Sequence, residues 1–396
     1  MIWLHLFFTI SWALVAYTYF GFPLLIAILS ARVRSRVPQE QGWAEADLPT
    51  VAIVVAAYNE QQYMDAKIQN TWGLDYPAEK LKLFVGSDGS FDATPKILAA
   101  ARDPRLEARI FAKRRGKVSV LNDLMAEVEA EIVILSDGNT MLAPDSVRAL
   151  VRHFRDPLVG CVNGALSIEH NGGVSGEGLY WRYELWLKTL ESRLGFVIGC
   201  YGGILAIRRE LYAPLPTSTI VEDFVLTMRI MEQNRIVRFD PEARATEPAS
   251  ASSQAEWNRK VRIGAGDYQA LGLTKQMLHP RYGMRAFAYG SHKVLRWMVP
   301  FFLICALVSN LVIVLQQGWN SANLYNWLLA AQGAGILISG IVYRLPAGLG
   351  APGWLRPISF FYLMNFALLC GFFRWMRGSQ PVAWQPAARQ ASEPVG

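Results

Sequence analysis

The sequence predicts an α/β domain held between one N-terminal transmembrane helix and a cluster of about three C-terminal ones, and three observations lead there. Long charge-free runs lie towards both ends of the chain. Between them, short β-rich runs alternate with helical stretches, the pattern of a mainly parallel sheet. The composition is also too apolar for an ordinary soluble protein: 52% hydrophobic residues and 13 Trp stand against 18% charged residues, with a mean hydropathy of +0.18. A chain of 396 residues exceeds the roughly 100–200 typical of one domain and leaves room for a second, membrane part.

The N-terminal run, Leu6 to Ala31, is charge-free over about 26 positions, enough for the roughly 20-residue helix that crosses a bilayer. Arg32, Arg34 and Arg36 follow the run, whereas a secretory signal carries its positive charge in front. Positive charge collects on cytosolic flanks, so the N-terminus is expected outside and residue 32 onward in the cytosol. A second charge-free stretch, Trp297 to Tyr343, lies between Arg296 and Arg344 and carries Gln316, Gln317, Asn320, Asn323 and Asn326 in its middle. It reads as two helices and an external turn. A third, Pro357 to Phe373, offers about 17 residues, the lower end of the spanning range, and reads as a span or a re-entrant segment. Arg344 and Arg356 set the Pro/Gly-rich loop before it in the cytosol, and a fourth crossing then carries Arg374 and Arg377 outside, against the charge rule.

The expected division is a transmembrane helix over 1–31, an α/β domain over 48–250 and amphipathic interfacial helices over 251–293. Transmembrane helices over 294–375 and a tail over 376–396 complete it, in a multi-pass protein of the inner (plasma) membrane. No ionisable residue falls within the charge-free runs, which sets aside a channel or transporter, since ion pathways are marked by such residues. The net charge of +7 is not drawn into Lys/Arg tracts interleaved with aromatics, so no nucleic-acid partner is expected. The excess suits arginines facing anionic membrane lipids and a pocket for phosphates. Cys305 and Cys370 fall in apolar runs, while Cys161 and Cys200 sit far apart in the polar middle; no metal or disulfide spacing exists, and a reducing cytosol is compatible.

Within the middle domain, Val51–Val55 reads as a first strand ending in Ala57-Tyr58-Asn59-Glu60, where a loop and helix begin. Leu81–Val85 reads as a second, ending in Ser87-Asp88-Gly89-Ser90 with Asp92 and Thr94 following, and Ile132–Leu135 as a third, ending in Ser136-Asp137-Gly138-Asn139-Thr140. Three strands thus deliver polar loops, two of them containing Asp, at their C-terminal ends, where open α/β sheets bind ligands. The Gly-rich dinucleotide fingerprint and the phosphate loop of NTPases are both absent, which argues against dehydrogenases and NTPases.

The order Ala-Tyr-Asn-Glu, Ser-Asp-Gly-Ser-x-Asp, Gly116-Lys117 with Leu121-Asn122, Ser-Asp-Gly-Asn-Thr and Val221-Glu222-Asp223-Phe224 resembles family 2 glycosyltransferases. The chain is similar to their membrane branch, which includes cellulose, chitin and hyaluronan synthases. The resemblance covers about residues 48–300 and the helix layout. It implies a GT-A fold and a nucleotide-sugar donor, a UDP-sugar first. Ala57, Tyr58, Asn59 and Glu60 would border the donor, with Tyr58 packing on the base. Asp88 would accept the N–H of a uracil-like ring, although an Asp-Gly turn needs no ligand. Lys117 would meet the donor phosphates, its neighbours Lys113, Arg114 and Arg115 being a solvated basic run. Asp137 and Asn139 stand where the family's Asp-x-Asp holds Mg²⁺ or Mn²⁺ against the diphosphate, an oxygen-ligand task; here the second Asp is an Asn.

Asp223 is the candidate general base, with Glu222 beside it, because a hydroxyl nucleophile must lose its proton as it attacks. Carboxylates also favour helix N-termini without any catalytic task. The aromatic stretch Gly178 to Leu190, with Tyr180, Trp181, Tyr183, Glu184 and Trp186, leads to Cys200, Tyr201 and Gly202, a loop that meets the acceptor sugar in relatives. Aromatic rings stack on sugar C–H faces, yet at helical spacing they are as readily core. Arg259, Lys260 and Arg262 lie where processive synthases carry Gln-x-x-Arg-Trp; the match is poor, and they suit a diphosphate or lipid headgroups alike.

The expected function is inverting transfer of a sugar to a lipid-linked or saccharide acceptor at the membrane, in polysaccharide or glycolipid assembly. A processive exopolysaccharide synthase and a catalytically inactive sugar-binding subunit are the alternatives.

Overall fold

The computed structural model describes residues 1–33, 44–169, 176–249, 252–320, 322–344 and 352–380. Arg34, Arg36, the loop 345–351 and most of the expected tail lie outside the described residues. The elements are α1 (Ile2–Ala31), β1 (Val51–Ala57), α2 (Gln61–Trp72), β2 (Leu81–Asp88), α3 (Thr94–Ala100), β3 (Leu106–Phe111), α4 (Lys117–Glu127), β4 (Ile132–Asp137), β5 (Met141–Leu142) and α5 (Ser146–Val151). After these come β6 (Val159–Glu169), α6 (Gly176–Arg193), β7 (Leu205–Arg208), α7 (Glu222–Glu232), β8 (Ile236–Pro248), α8 (Ser253–Thr274), α9 (Met284–Gln317), α10 (Leu324–Arg344) and α11 (Leu355–Met376).

One 8-stranded mixed sheet runs in the order β3-β2-β1-β4-β7-β6-β8-β5. The four strands from β3 to β4 pair in parallel, and β7 enters antiparallel to both β4 and β6. This is the α/β sheet expected of a GT-A domain. β1 is buried at every position, as a central strand covered on both faces must be. Its side chains alternate between two cores. Val51, Ile53, Val55 and Ala57 join Met64, Leu83 and Leu150; Ala52, Val54 and Ala56 join Leu121, Phe224, Tyr289 and Trp297. Phe22 and Ile26 of α1 belong to the second core, so one face of the sheet is sealed by helices that continue into the apolar segments.

α1, α9, α10 and α11 are long and apolar enough to cross a membrane. α1 and α9 each contain a π-helical turn, at Tyr17–Gly21 and Tyr289–Val294, and the two turns meet where Tyr17 Oη and Ser291 Oγ are 2.9 Å apart. α9 begins at Met284, so the boundary expected at 293/294 falls inside one continuous helix, and Arg285, His292, Lys293 and Arg296 occupy its first turns ahead of the charge-free stretch.

α11 packs lengthwise on α8. Phe366 faces Trp257, while Phe372 and Trp375 face Tyr268. A Cβ on Gly371 would lie 2.6 Å from the backbone N of Ala265 and 2.7 Å from the carbonyl C of Gly264, so only glycine permits this approach. Gly371→Val is therefore expected to destabilise the protein by about 1–3 kcal/mol through overpacking, read as a lower Tm in detergent. An unchanged Tm would mean that the α8–α11 contact does not form.

Candidate active site

The three motif-bearing strands extend two or three residues beyond the runs read from sequence and carry their loops to one edge of the sheet. There the motifs brace one another. Asp92 accepts the backbone N–H of Gln61 at 3.0 Å, and Thr94 Oγ1 that of Glu60 at 2.9 Å, so Asp92 and Thr94 satisfy the exposed donors at the start of α2. Asn59, held at φ 53°, accepts from Phe91 N. Gly89 has φ 65°, and a Cβ there would sit 2.5 Å from the N of Arg114, so the turn after Asp88 requires glycine.

Asp88 is buried, and its two carboxylate oxygens accept the N–H groups of Arg115 at 2.7 Å and Gly116 at 2.8 Å. The Tyr58 ring lies under the guanidinium of Arg114, 3.7 Å from its centroid. Ala57 is strand core. Ala57, Tyr58 and Asp88 do not line the cavity described below, whereas Asn59 and Glu60 do. Of the basic run, Lys113 and Arg115 are exposed, Arg115 pairing with Asp123 at the surface, whereas Arg114 departs from the solvated expectation: it is half-buried and covers Tyr58.

A cavity of about 790 Å³ collects most of the remaining candidates: Lys117, Asp137, Asn139, Glu222, Asp223, Cys200, Tyr201, Gly202, Arg259, Lys260 and Arg262. Lys117 Nζ bridges Asp137 Oδ1 and Glu222 Oε1, at 2.6 Å each. Burial works against its charge, but the two carboxylates hold the ammonium above its ordinary pKa. Behind the Asp137 loop, the wholly buried Lys67 donates to Ser136 Oγ at 2.7 Å and to the Thr140 carbonyl at 2.5 Å. Burial brings its pKa down to about 7. Nothing in the sequence singled out Lys67, a lone lysine in a helix whose partners are remote along the chain.

Glu222 and Asp223 occupy the first turn of α7. A helix N-terminus alone would lower a carboxyl pKa. Asp223 is instead pushed up to about 6, first by burial and then by Glu222, against the pull of Lys117. A Cβ on Gly202 would come within 3.3 Å of Asp223 Oδ2, so the loop carrying Cys200 and Tyr201 lies directly against this carboxyl. Arg262 feels Glu222, Asp223 and Asp137 together.

Asp137 and Asn139 supply the hard oxygen atoms that a divalent cation prefers. Among the described residues no group of three or more His, Cys, Asp or Glu gathers to hold a metal. The set therefore fits a cation that takes one or two protein ligands and completes its shell with substrate phosphates.

The opposite wall is built from α6, α8 and the apolar helices α9 and α11. Tyr180, Trp181, Glu184 and Lys188 of α6, Asp267 of α8, Lys293, Arg296 and Trp297 of α9, and Phe360, Met364 and Leu368 of α11 line the same cavity. Arg296 bonds Glu184, and His292 Nδ1 lies 2.6 Å from Glu191 Oε1, which ties α6 to α9 through buried charge. Burial acts to raise the Glu184 pKa, but Arg296 and Lys293 hold it well below the usual range. Asp267, unnoticed in the sequence, is raised to about 7 by burial. Arg374 also lines the cavity, and the last turn of α11 packs on Tyr268 through Trp375. Cys161 and Cys200, far apart along the chain, are both buried with their thiols hydrogen-bonded, because β6 and the loop before β7 are neighbours.

A family model described as "Glycosyltransferase like family 2" matches residues 49–266. A beta-monoglucosyldiacylglycerol synthase from Trichormus variabilis is 26% identical over 275 residues, 66% of this chain and 57% of its own. A poly-beta-1,6-N-acetyl-D-glucosamine synthase from Staphylococcus aureus is 21% identical over 57% of this chain and 56% of its own. The match spans 57%, 63% and 48% of the length of three beta-monoglucosyldiacylglycerol synthases. In structure, the chain resembles a mannosyltransferase from Pyrobaculum calidifontis, solved with GDP-Man and Mn²⁺, with a TM-score of 0.71 and 21% identity over 93% of this chain and 99% of that one.

Proposed function

Because the chain belongs to the family 2 glycosyltransferases, we propose that it moves a sugar from a nucleotide-sugar donor to a lipid-linked acceptor at the membrane, with inversion at the sugar's C1. The observation that carries this reading is the single cavity joining Lys117, Asp137, Glu222 and Asp223 to the apolar side chains Phe360, Met364 and Leu368 of α11. Its polar end suits a sugar diphosphate and its apolar end a lipid. The names of the monoglucosyldiacylglycerol synthase relatives support a lipid acceptor, and the Mn²⁺ and GDP-Man of the mannosyltransferase support a divalent cation and a nucleotide sugar.

In this mechanism the acceptor hydroxyl approaches C1 from the face opposite the diphosphate. Asp223 takes its proton as the O–C1 bond forms and the C1–O bond to the diphosphate breaks. Asp137, with Asn139, would hold a Mg²⁺ or Mn²⁺ ion, whose chemistry is to neutralise the departing diphosphate. Lys117 and Arg262 add fixed positive charge on the phosphate side, and Glu222 keeps Lys117 in place. Tyr58 and Asp88 are assigned to the nucleobase, which requires Arg114 to leave the ring it covers. The catalytic domain faces the cytosol of the inner (plasma) membrane, a reading supported by Arg32 and Arg34 after the first apolar run.

The test is turnover of UDP-, GDP- and dTDP-sugars by the purified protein in lipid nanodiscs with Mn²⁺ or Mg²⁺, products read by mass spectrometry. The expected result is one or few sugars on a lipid, abolished by EDTA. A high-molecular-weight glycan made without lipid acceptor would favour a processive synthase, and donor binding without turnover an inactive sugar-binding subunit. In sided vesicles, inside-out preparations are expected to consume added donor and right-side-out ones not; the reverse would overturn the orientation.

A further inference from the structure

We propose that Trp181 is the stacking platform for a sugar ring already present on the acceptor, so that the enzyme extends a glycolipid instead of glycosylating a bare lipid hydroxyl. The inference rests on the lipid-acceptor reading above and narrows it.

Trp181 and Tyr201 stack with ring centroids 4.7 Å apart and planes 22° from parallel. The Tyr201 ring is also approached by Lys188 Nζ, 4.4 Å from its centroid. Tyr201 is thus held between an ammonium and an indole and has no face to offer. Among the described residues no other ring or cation stacks on Trp181, which is half-buried against the sheet core and lines the cavity. A flat indole suits the C–H face of a pyranose, while a diacylglycerol hydroxyl has no such face to present.

Polar chemistry around the indole agrees. Trp181 Nε1 and Tyr201 Oη are buried and find no hydrogen-bond partner among the described residues, a state that costs free energy unless a ligand relieves it. Asp267 and Asn258 line the same cavity and suit sugar hydroxyls. The platform also lies close to the chemistry. Tyr201 is followed by Gly202, whose would-be Cβ comes within 3.3 Å of Asp223 Oδ2. A sugar resting on Trp181 therefore lies beside the loop that abuts the candidate base. Its hydroxyl oxygen bonds C1 of the incoming sugar, its proton passes to Asp223, and the nucleoside diphosphate leaves. An earlier glycosyl transfer onto the lipid must supply such an acceptor.

The experiment compares monoglucosyl- and monogalactosyl-diacylglycerol with dioleoylglycerol as acceptors for the wild type, Trp181→Ala and Trp181→Phe, with nucleotide-sugar Kd measured in parallel. A glycosylated lipid is expected to have a KM about tenfold or more below that of dioleoylglycerol. Trp181→Ala should erase that difference by raising the glycolipid KM, with kcat changing less and donor Kd little. Trp181→Phe should keep part of it. The proposal is overturned if dioleoylglycerol is the better acceptor, or if Trp181→Ala leaves the KM ratio unchanged while donor binding is intact. Transfer to soluble glycosides but to no lipid defeats the lipid reading, and supports the platform when Trp181→Ala raises the glycoside KM.

Discussion

Asp223→Asn is expected to slow sugar transfer by about 10²–10⁴-fold while the nucleotide-sugar Kd stays within a few-fold, because it removes a proton acceptor and leaves shape and contacts largely intact. The substitution is nearly isosteric, and the bond from Phe224 N to Asp223 Oδ1, at 2.8 Å, survives in an amide. The environment strengthens the expectation. A carboxyl pushed up to about 6 by burial and by Glu222 is a better base than a solvated one and is still ionised at neutral pH. The sign of the pH dependence follows. The base works only when deprotonated, so kcat/KM should be flat above pH 7 and fall as pH drops through about 6. Glu222→Gln is the necessary companion, since it removes the negative neighbour and weakens the hold on Lys117. Its acid limb should move to lower pH. Normal transfer by Asp223→Asn would shift the role to another carboxyl, Glu222 first.

The second large effect is expected from Asp137→Ala, which should lower donor and divalent-cation affinity together by roughly 100-fold or more. Asp137 is half of the clamp on Lys117 and the one carboxylate of the Asp-Gly-Asn loop. With it gone, Lys117 retains Glu222, so the buried ammonium is still paired and gross unfolding is not expected. Titration of Mn²⁺ with and without UDP separates the two losses: the wild type should bind the ion tightly only with the nucleotide, and the variant with neither. Unchanged Mn²⁺ and UDP affinities would remove this loop from the donor site. The contrast with Asp223→Asn is diagnostic, one losing binding and the other only rate.

Local chemistry made much of this legible. β1 reads as a strand because its run of Val, Ile and Ala is β-forming and buried on both faces, and the apolar segments are legible because lipid demands length without charge. The short loops after β1, β2 and β4 carry their own turn chemistry, which is why Asp137 stands out in one dimension, while Glu222 and Asp223 stand out as an acidic pair opening α7. Asp88 was equally legible, but what its carboxylate touches was not: its partners are the backbone amides of Arg115 and Gly116.

By itself, the sequence determined the α/β class, the placement of the apolar helices, the family and the acidic motifs, all of which rest on residues close together in the chain or on composition. Tertiary structure alone decided that Lys117 joins Asp137 to Glu222, that Lys67 braces the 136–140 loop from 69 residues away, and that Glu184 meets Arg296 across 112 residues. It likewise stacked Trp181 on Tyr201 and turned Arg374 towards the cavity. Such pairings depend on which elements become neighbours once the sheet and helices pack. Neither hydrophobic periodicity nor motif spacing carries that information, because a charge buried by remote partners has the same local sequence as one left in water.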